Sequence, residues 1–305
     1  MPSIRHKMAV RLVNASLLRP ADMKVEAARL LMDDFAHLFP MPDSVDVRSL
    51  RAAGLEAEWI VPSAGAPKGA VLYLHGGGYC AGSIASHRAL AARLALASRC
   101  RVLLIDYALA PERPFPAGLR DAERAFAWLL DEGVAPERLI VAGDSAGGGL
   151  TLALLVALER AGTPRPAGAV CLSPWADLTM SGTGARSGEI DDPMIRLEDA
   201  ERLAALYAGG EPLDNPLVSP LFARLGGLPP LLLQVGTREI LLDDARRVAE
   251  AARRAGVEVR LEEWPELMHV WQIFAPMVPE SVEAIEAIGR WITERLERSG
   301  RRSAA

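Results

Sequence analysis

Cysteine is scarce in this 305-residue chain: Cys80, Cys100 and Cys171 are the only three, they form no CxxC pair and they are odd in number. That excludes a disulfide framework and a zinc knuckle, and fits a reducing cytoplasm. No run of about 18 apolar residues occurs, so nothing reads as a membrane span. The basic residues near the start, Arg5 and Lys7, lead into a stretch broken by Arg11 and Asn14, which leaves no apolar region of the kind a signal peptide needs. Aromatic residues make up 5% of the chain and give no sign of a lipid-binding surface. Concentrated positive charge is also missing. The formal net charge is -5, with no basic block suited to a phosphate backbone, so nucleic acid is not an expected partner. The basic tail from Arg295 to Arg302 reads as a frayed, solvated helix end.

Apolar residues are plentiful, at half of the chain, enough for one large core. From Ala70 onward, apolar runs of strand length alternate with segments of helical period. The strands are expected at Ala70 to Leu74, Arg101 to Asp106, Leu139 to Ala142, Gly168 to Leu172, Leu231 to Val235 and Val257 to Glu262. The helices are expected at Ser86 to Ala97, Leu119 to Asp131, Ala146 to Ala161, Asp243 to Ala255 and Glu280 to Arg298. Continuous apolar strands separated by helices predict a mostly parallel, doubly wound α/β sheet covered on both faces. Two stretches depart from the alternation. Residues 1–42 read as one or two amphipathic helices ended by the Pro40 to Pro42 segment, followed by two antiparallel-type strands, Val45 to Leu50 and Ala57 to Val61, at the sheet edge. Residues 179–223 are too long for a plain loop and suggest a lid.

The chemistry centres on "LIVAGDSAGGGLTLALL", Leu139 to Leu155. Gly143, Ser145 and Gly147 make G-x-S-x-G, a weak motif alone. Here an apolar strand leads in and a helix leads out, which is the setting of a nucleophile elbow. A serine hydroxyl needs a base. Of five histidines, His6 and His37 lie in the N-terminal helices, His87 opens an early helix and His75 precedes three glycines, which leaves His269 in the loop "PELMHVW" after the last strand. That is the carboxyl edge of the sheet, where such folds expose their reactive groups. The base in turn needs an acid. Glu239 lies in the loop at the end of the strand "LLLQV", where its carboxylate can point across to His269, and is preferred. Asp243 is the alternative, although it and Asp244 also read as first-turn acids suited to the helix dipole. For the oxyanion, the glycines of "LHGGGYCAG" can aim backbone N–H groups at one point, and Ala146 supplies another from the first turn of its helix.

With these residues in view, the chain resembles the hormone-sensitive-lipase-like serine esterases of the α/β-hydrolase fold. The resemblance rests on "HGGGY" (75–79), "DYALAPERPFPA" (106–117), "GDSAGGGL" (143–150), "LSPWADL" (172–178), "NPLVSPLF" (215–222), "VGTREILLDD" (235–244) and "MHVW" (268–271). It implies an α/β-hydrolase sheet of about eight strands, with Ser145 as nucleophile, His269 as base, Glu239 as acid and Gly77, Gly78 and Ala146 as the oxyanion positions. Much of the family has aspartate at the third position, where this chain and a subgroup of relatives have glutamate. The 30-residue spacing from Glu239 to His269 resembles the family's and favours Glu239 over its neighbours. The resemblance further implies short to medium acyl esters, little interfacial activation, no metal or organic cofactor, and a cap formed by the N-terminal helices and the insertion at 179–223. Leu17, Leu30, Met194, Leu203, Leu206 and Tyr207 are candidates to line its pocket, whereas Asp106, Asp177 and Trp175 read as structural. The expected partner is a small-molecule ester, and monomer and homodimer both stay open. The rival readings are an amidase or lactonase with the same residues, and a small-molecule receptor, against which the presence of His269 weighs.

Overall fold

The computed structural model describes residues 2–15, 24–188 and 190–303. In chain order it comprises α1 (Ile4–Ala15), α2 (Val25–Ala36), β1 (Val45–Ala52), β2 (Leu55–Pro62), β3 (Ala70–Leu74), α3 (Ile84–Ser98), β4 (Arg101–Ile105), α4 (Ala117–Asp131), β5 (Leu139–Asp144), α5 (Ala146–Ala161) and β6 (Gly168–Leu172). There follow α6 (Thr183–Ser187), α7 (Leu197–Ala208), β7 (Leu231–Gly236), α8 (Leu242–Arg254), β8 (Val259–Trp264) and α9 (Pro279–Ser303). The eight strands form one sheet in the order β1-β2-β4-β3-β5-β6-β7-β8. β1 pairs antiparallel with β2, and β2 antiparallel with β4; every other pairing is parallel. The two N-terminal strands thus cap one side of the sheet, with β1 at its rim.

The alternation of side chains along a strand sorts the core onto two faces. Val71, Tyr73 and Ile140 pack with Leu90 and Leu94 of α3 and Ile288 and Trp291 of α9. Leu72, Leu74 and Val141 point the other way, onto Phe126 and Leu129 of α4 and Leu150 and Leu154 of α5. Helix α5 comes closest to the sheet because three of its first four residues are glycine. A Cβ on Gly147 would lie 2.0 Å from the Leu74 carbonyl oxygen and 2.5 Å from that of His75, both backbone atoms that cannot swing aside. Gly147→Ala is therefore expected to destabilise the protein by about 1–3 kcal/mol and to displace Ser145; urea unfolding together with turnover of a short ester checks both.

The strand and helix positions read from sequence hold, with ends shifted by a few residues. One expectation changes. The C-terminal end is not a solvated, fraying tail where it begins: α9 continues to Ser303. The Arg295 side chain is 11% exposed and bonds Glu258, its guanidinium 5.3 Å from the Trp291 ring centroid. Apolar cover and an acidic partner from the start of β8 draw this arginine in.

Candidate active site

β5 ends at Asp144, α5 begins at Ala146, and the residue between them has φ 53° and ψ −121°. A non-glycine residue in this region carries strain of about 1–3 kcal/mol and persists only where its surroundings enforce it. Ser145 is enforced by three backbone bonds. Its N–H donates to Leu172 O (2.8 Å), and its carbonyl accepts from Gly149 N (3.0 Å) and Trp175 N (2.9 Å). The turn lifts the side chain out of the sheet into a cavity of about 240 Å³, whose walls include Gly77, Gly78, Ser145 and His269. Ala146 opens the helix, where the first N–H groups have no intrahelical partner.

His269 lies in the loop after β8, and its Nδ1 is 2.7 Å from Glu239 Oε2. The other carboxylate oxygen, Oε1, accepts from Gly236 N (2.6 Å) and Ser173 Oγ (2.8 Å). Ser173 Oγ in turn accepts from Val270 N (3.2 Å), so one hydroxyl joins the acid to the histidine loop. Ser173, with φ 46°, is a further residue of the site, and the signal that sequence offers for it is its position directly after a strand at the carboxyl edge of the sheet. Burial by itself lowers the His269 pKa, but Glu239, Asp192 and Asp144 outweigh it and raise the pKa above the usual imidazole value. Asp243, the alternative acid, does not face His269: its Oδ2 accepts from Gly184 N at 2.7 Å, because the first turn of α8 points toward α6. Asp244 is buried, with its Oδ2 accepting from Ala176 N and Asp177 N, and burial pushes its pKa up to about 8.

The glycine loop after β3 is shaped by its own turn. Gly77 (φ 118°) accepts from Cys80 N and Ala81 N, and a Cβ on it would lie 2.2 Å from Ala81 O. Gly78 (φ 61°) lies under Leu203 of α7. Below the loop is a buried polar cluster that the sequence did not reveal. Asp144 accepts from Tyr73 Oη (2.8 Å) and Gly76 N (3.1 Å), with His87 Nε2 3.3 Å from its Oδ2. Burial alone would raise the Asp144 pKa, but His87 and Tyr73 hold it below the carboxylate norm. His75 is fully buried, stacked on Tyr107 at 4.4 Å, with its pKa pushed down to about 3 by burial and by His87.

Over the cavity lie α2, α7 and the segment between α6 and α7. Arg29 of α2 donates to Cys80 O (2.7 Å) and Ala110 O (2.9 Å) and pairs with Glu112, and Ser83 Oγ donates to Asp33 Oδ1 (2.5 Å). Asp192 accepts from Met194 N, Ile195 N and Ile240 N, which ties this segment to the residue after Glu239. Of the sequence candidates for the pocket wall, Met194 and Leu203 line it. Leu30 instead is 69% exposed, and Tyr207 is buried against Tyr79, their ring centroids 3.7 Å apart. Leu206 packs at the edge of the main core, and Leu17 lies outside the described residues. Leu31, Met32 and Phe35 of α2 and Trp175 complete much of the wall. Asp106 and Asp177 take structural bonds, to Ile84 N and to Thr179, Ser181 and Arg247. All three cysteines are buried and free, and no described helix is long and apolar enough to cross a membrane.

Comparison with known proteins agrees with this architecture. A family profile described as the alpha/beta hydrolase fold matches residues 71–273. An acetyl-hydrolase of Streptomyces hygroscopicus is 46% identical over 236 residues, covering 77% of this chain and 79% of that protein. An esterase of Acinetobacter venetianus is 35% identical over 285 residues, 92% of this chain and 94% of its own. A crystal structure of an esterase from the bacterial hormone-sensitive lipase family superposes with a TM-score of 0.93 at 42% identity, over 97% of this chain and 99% of that one. The eight-stranded sheet, the strand-serine-helix turn and these relatives together make the chain a member of the α/β-hydrolase family, in its hormone-sensitive-lipase-like esterase branch.

Proposed function

We propose that the protein is a serine carboxylesterase in which Ser145 is the nucleophile, His269 the base, Glu239 the acid, and the backbone N–H groups of Gly77, Gly78 and Ala146 the oxyanion donors. The observation that carries this reading is the 2.7 Å contact from Glu239 to His269 Nδ1, on the same cavity as a serine held at positive φ. With Nδ1–H engaged by the carboxylate, Nε2 is left as the acceptor that a serine hydroxyl requires. Ser145 Oγ attacks the ester carbonyl while His269 takes its proton. The tetrahedral oxyanion collapses and expels the alcohol, which leaves with that proton. Water then attacks the acyl-enzyme by the same route and releases the acid. Ester hydrolysis by the relatives supports the reaction class, and the named activity of the Streptomyces protein favours small acyl groups.

The cavity volume, about 240 Å³, lies below the roughly 300–1,000 Å³ of pockets for drug-sized ligands, and this supports short to medium acyl chains. We assign the covering role to α2 and the insertion at 179–223; the described residues of α1 pack behind the His269 loop and do not line the cavity. A panel of p-nitrophenyl esters from two to sixteen carbons, with matched anilides and lactones, tests the substrate class: kcat/KM should peak at short chains and fall at least tenfold by twelve carbons. A preference for the anilides or lactones would move the assignment to amidase or lactonase.

The base must be neutral to accept a proton, so activity is lost as pH falls through the His269 pKa. Because that pKa is raised, the acid limb of kcat/KM should have its midpoint above 6.5 and fall about tenfold per unit below it. Removing the negative charge in Glu239→Gln should lower the midpoint. A wild-type midpoint below 6.5 would contradict the electrostatic account.

A further inference from the structure

Helix α1 contains no acidic residue. Its buried side, Ala9, Val10 and Val13, packs with Phe39, Met268 and Trp271, the last two flanking the loop that bears His269. Its outer side mixes an apolar line with basic residues, where a solvent-facing helix is usually polar throughout. Ile4, Met8 and Leu12 are 77%, 62% and 44% exposed. Their four-residue spacing stacks them in one line along the helix. Arg5, Lys7 and Arg11 are also exposed, Arg5 on one flank of that line and Lys7 and Arg11 on the other.

On the Lys7 and Arg11 flank is a cavity of about 450 Å³, formed by His6, Lys7 and Arg11 on one side and Arg238 and Glu266 on the other. His6 is 1% exposed, and neither ring nitrogen has a hydrogen-bond partner among the described residues. Burial lowers the His6 pKa against Glu280 and the Glu266 carbonyl, which favour a proton on the ring, and that carbonyl lies outside hydrogen-bonding geometry. Unpaired buried polar groups are rare, and a ligand is one of the few things that explains them. Arg238 is fixed in the far wall by Asp191, through Nε to the carbonyl and Nη2 to the carboxylate.

An apolar line flanked by cations is the pattern of a helix that lies in a lipid interface. We propose that α1 docks the protein on an anionic lipid surface: Ile4, Met8 and Leu12 enter the acyl boundary, Arg5, Lys7 and Arg11 meet the headgroups, and one headgroup phosphate seats in the cavity beside His6. A second copy of the chain fits this face poorly, because a two-fold contact sets the cations of one α1 against those of the other with no acid on α1 to answer them. The low aromatic content does not register this surface, since it is built from aliphatic residues and methionine.

The test is co-sedimentation of the full chain with vesicles of phosphatidylglycerol or of phosphatidylcholine. At low salt the protein should partition on the order of 100-fold more strongly onto the anionic vesicles, about fivefold per basic residue. The preference should shrink as salt rises. Arg5→Glu combined with Lys7→Glu and Arg11→Glu should abolish it, and Met8→Glu should weaken partition at least tenfold. All variants should keep the wild-type melting temperature and turnover of a water-soluble ester, because none of these residues touches the proposed catalytic groups. Equal partition onto both vesicles, no partition, or wild-type binding by Met8→Glu would overturn the proposal. A Met8-dependent dimer without vesicle binding would assign the face to a second copy. Stabilisation by inorganic phosphate without vesicle binding would make the cavity a free-anion site; either result also overturns it.

Discussion

Ser145→Ala is expected to lower kcat/KM at least about ten-thousand-fold, since removal of a nucleophile that acts with its base as a unit costs far more than any single contact. The variant should fold. Ser145 is held by its backbone N–H and carbonyl, which alanine retains, and among the described residues no side-chain bond of Ser145 supports the turn. Substrate turnover measured alongside thermal unfolding separates the two effects. A residual rate within tenfold of wild type would remove Ser145 from the mechanism, while a collapse in melting temperature would mean that the hydroxyl itself stabilises the strained turn.

Glu239→Gln should cost about a thousandfold to ten-thousandfold in kcat/KM, and the reason is a tautomer. Oε1 of Glu239 accepts from both Gly236 N and Ser173 Oγ. In glutamine the amide oxygen must stay with those two donors, which turns the NH₂ toward His269 Nδ1. The ring then carries its proton on Nε2 and cannot take one from serine. Asp243→Asn should stay within about threefold of wild type, because this side chain bonds the backbone of α6 rather than the histidine. The opposite ranking would reassign the acid. Ser173→Ala should fall between the two, since it removes one of the two donors to Oε1 of Glu239 and the acceptor of the Val270 N–H while leaving the carboxylate in place.

Legibility in the sequence followed the range of the forces involved. The parallel strands and their helices could be read because each buries a continuous apolar run, a local signal. The turn joining β1 and β2 was harder. It uses Ala53 and Gly54 at φ 51° and 82°, a primed-type turn made without the asparagine or aspartate that advertises one. Ser145, Glu239 and His269 could be proposed because each follows a strand at the carboxyl edge of the sheet. Ser173 does so as well, but its bonds reach residues 66 and 97 positions away, and no local pattern encodes that. The pocket wall was the least legible part. An amphipathic helix announces an apolar stripe and not what covers it, so Leu30 and Leu31 are neighbours in sequence while only Leu31 meets the cavity. Arg295 reads as a tail residue until Trp291 and Glu258 are seen beside it.

The proposal that Ser145 is an activated nucleophile is tested most directly by mass spectrometry of the intact protein after exposure to an organophosphonate with a good leaving group, with the adduct mapped by peptide. One adduct per chain, located on Ser145 and lost in His269→Ala, is the predicted result. A folded protein that stays unmodified, or is labelled on another residue, would contradict it and would favour the reading of the cavity as a binding site without catalysis.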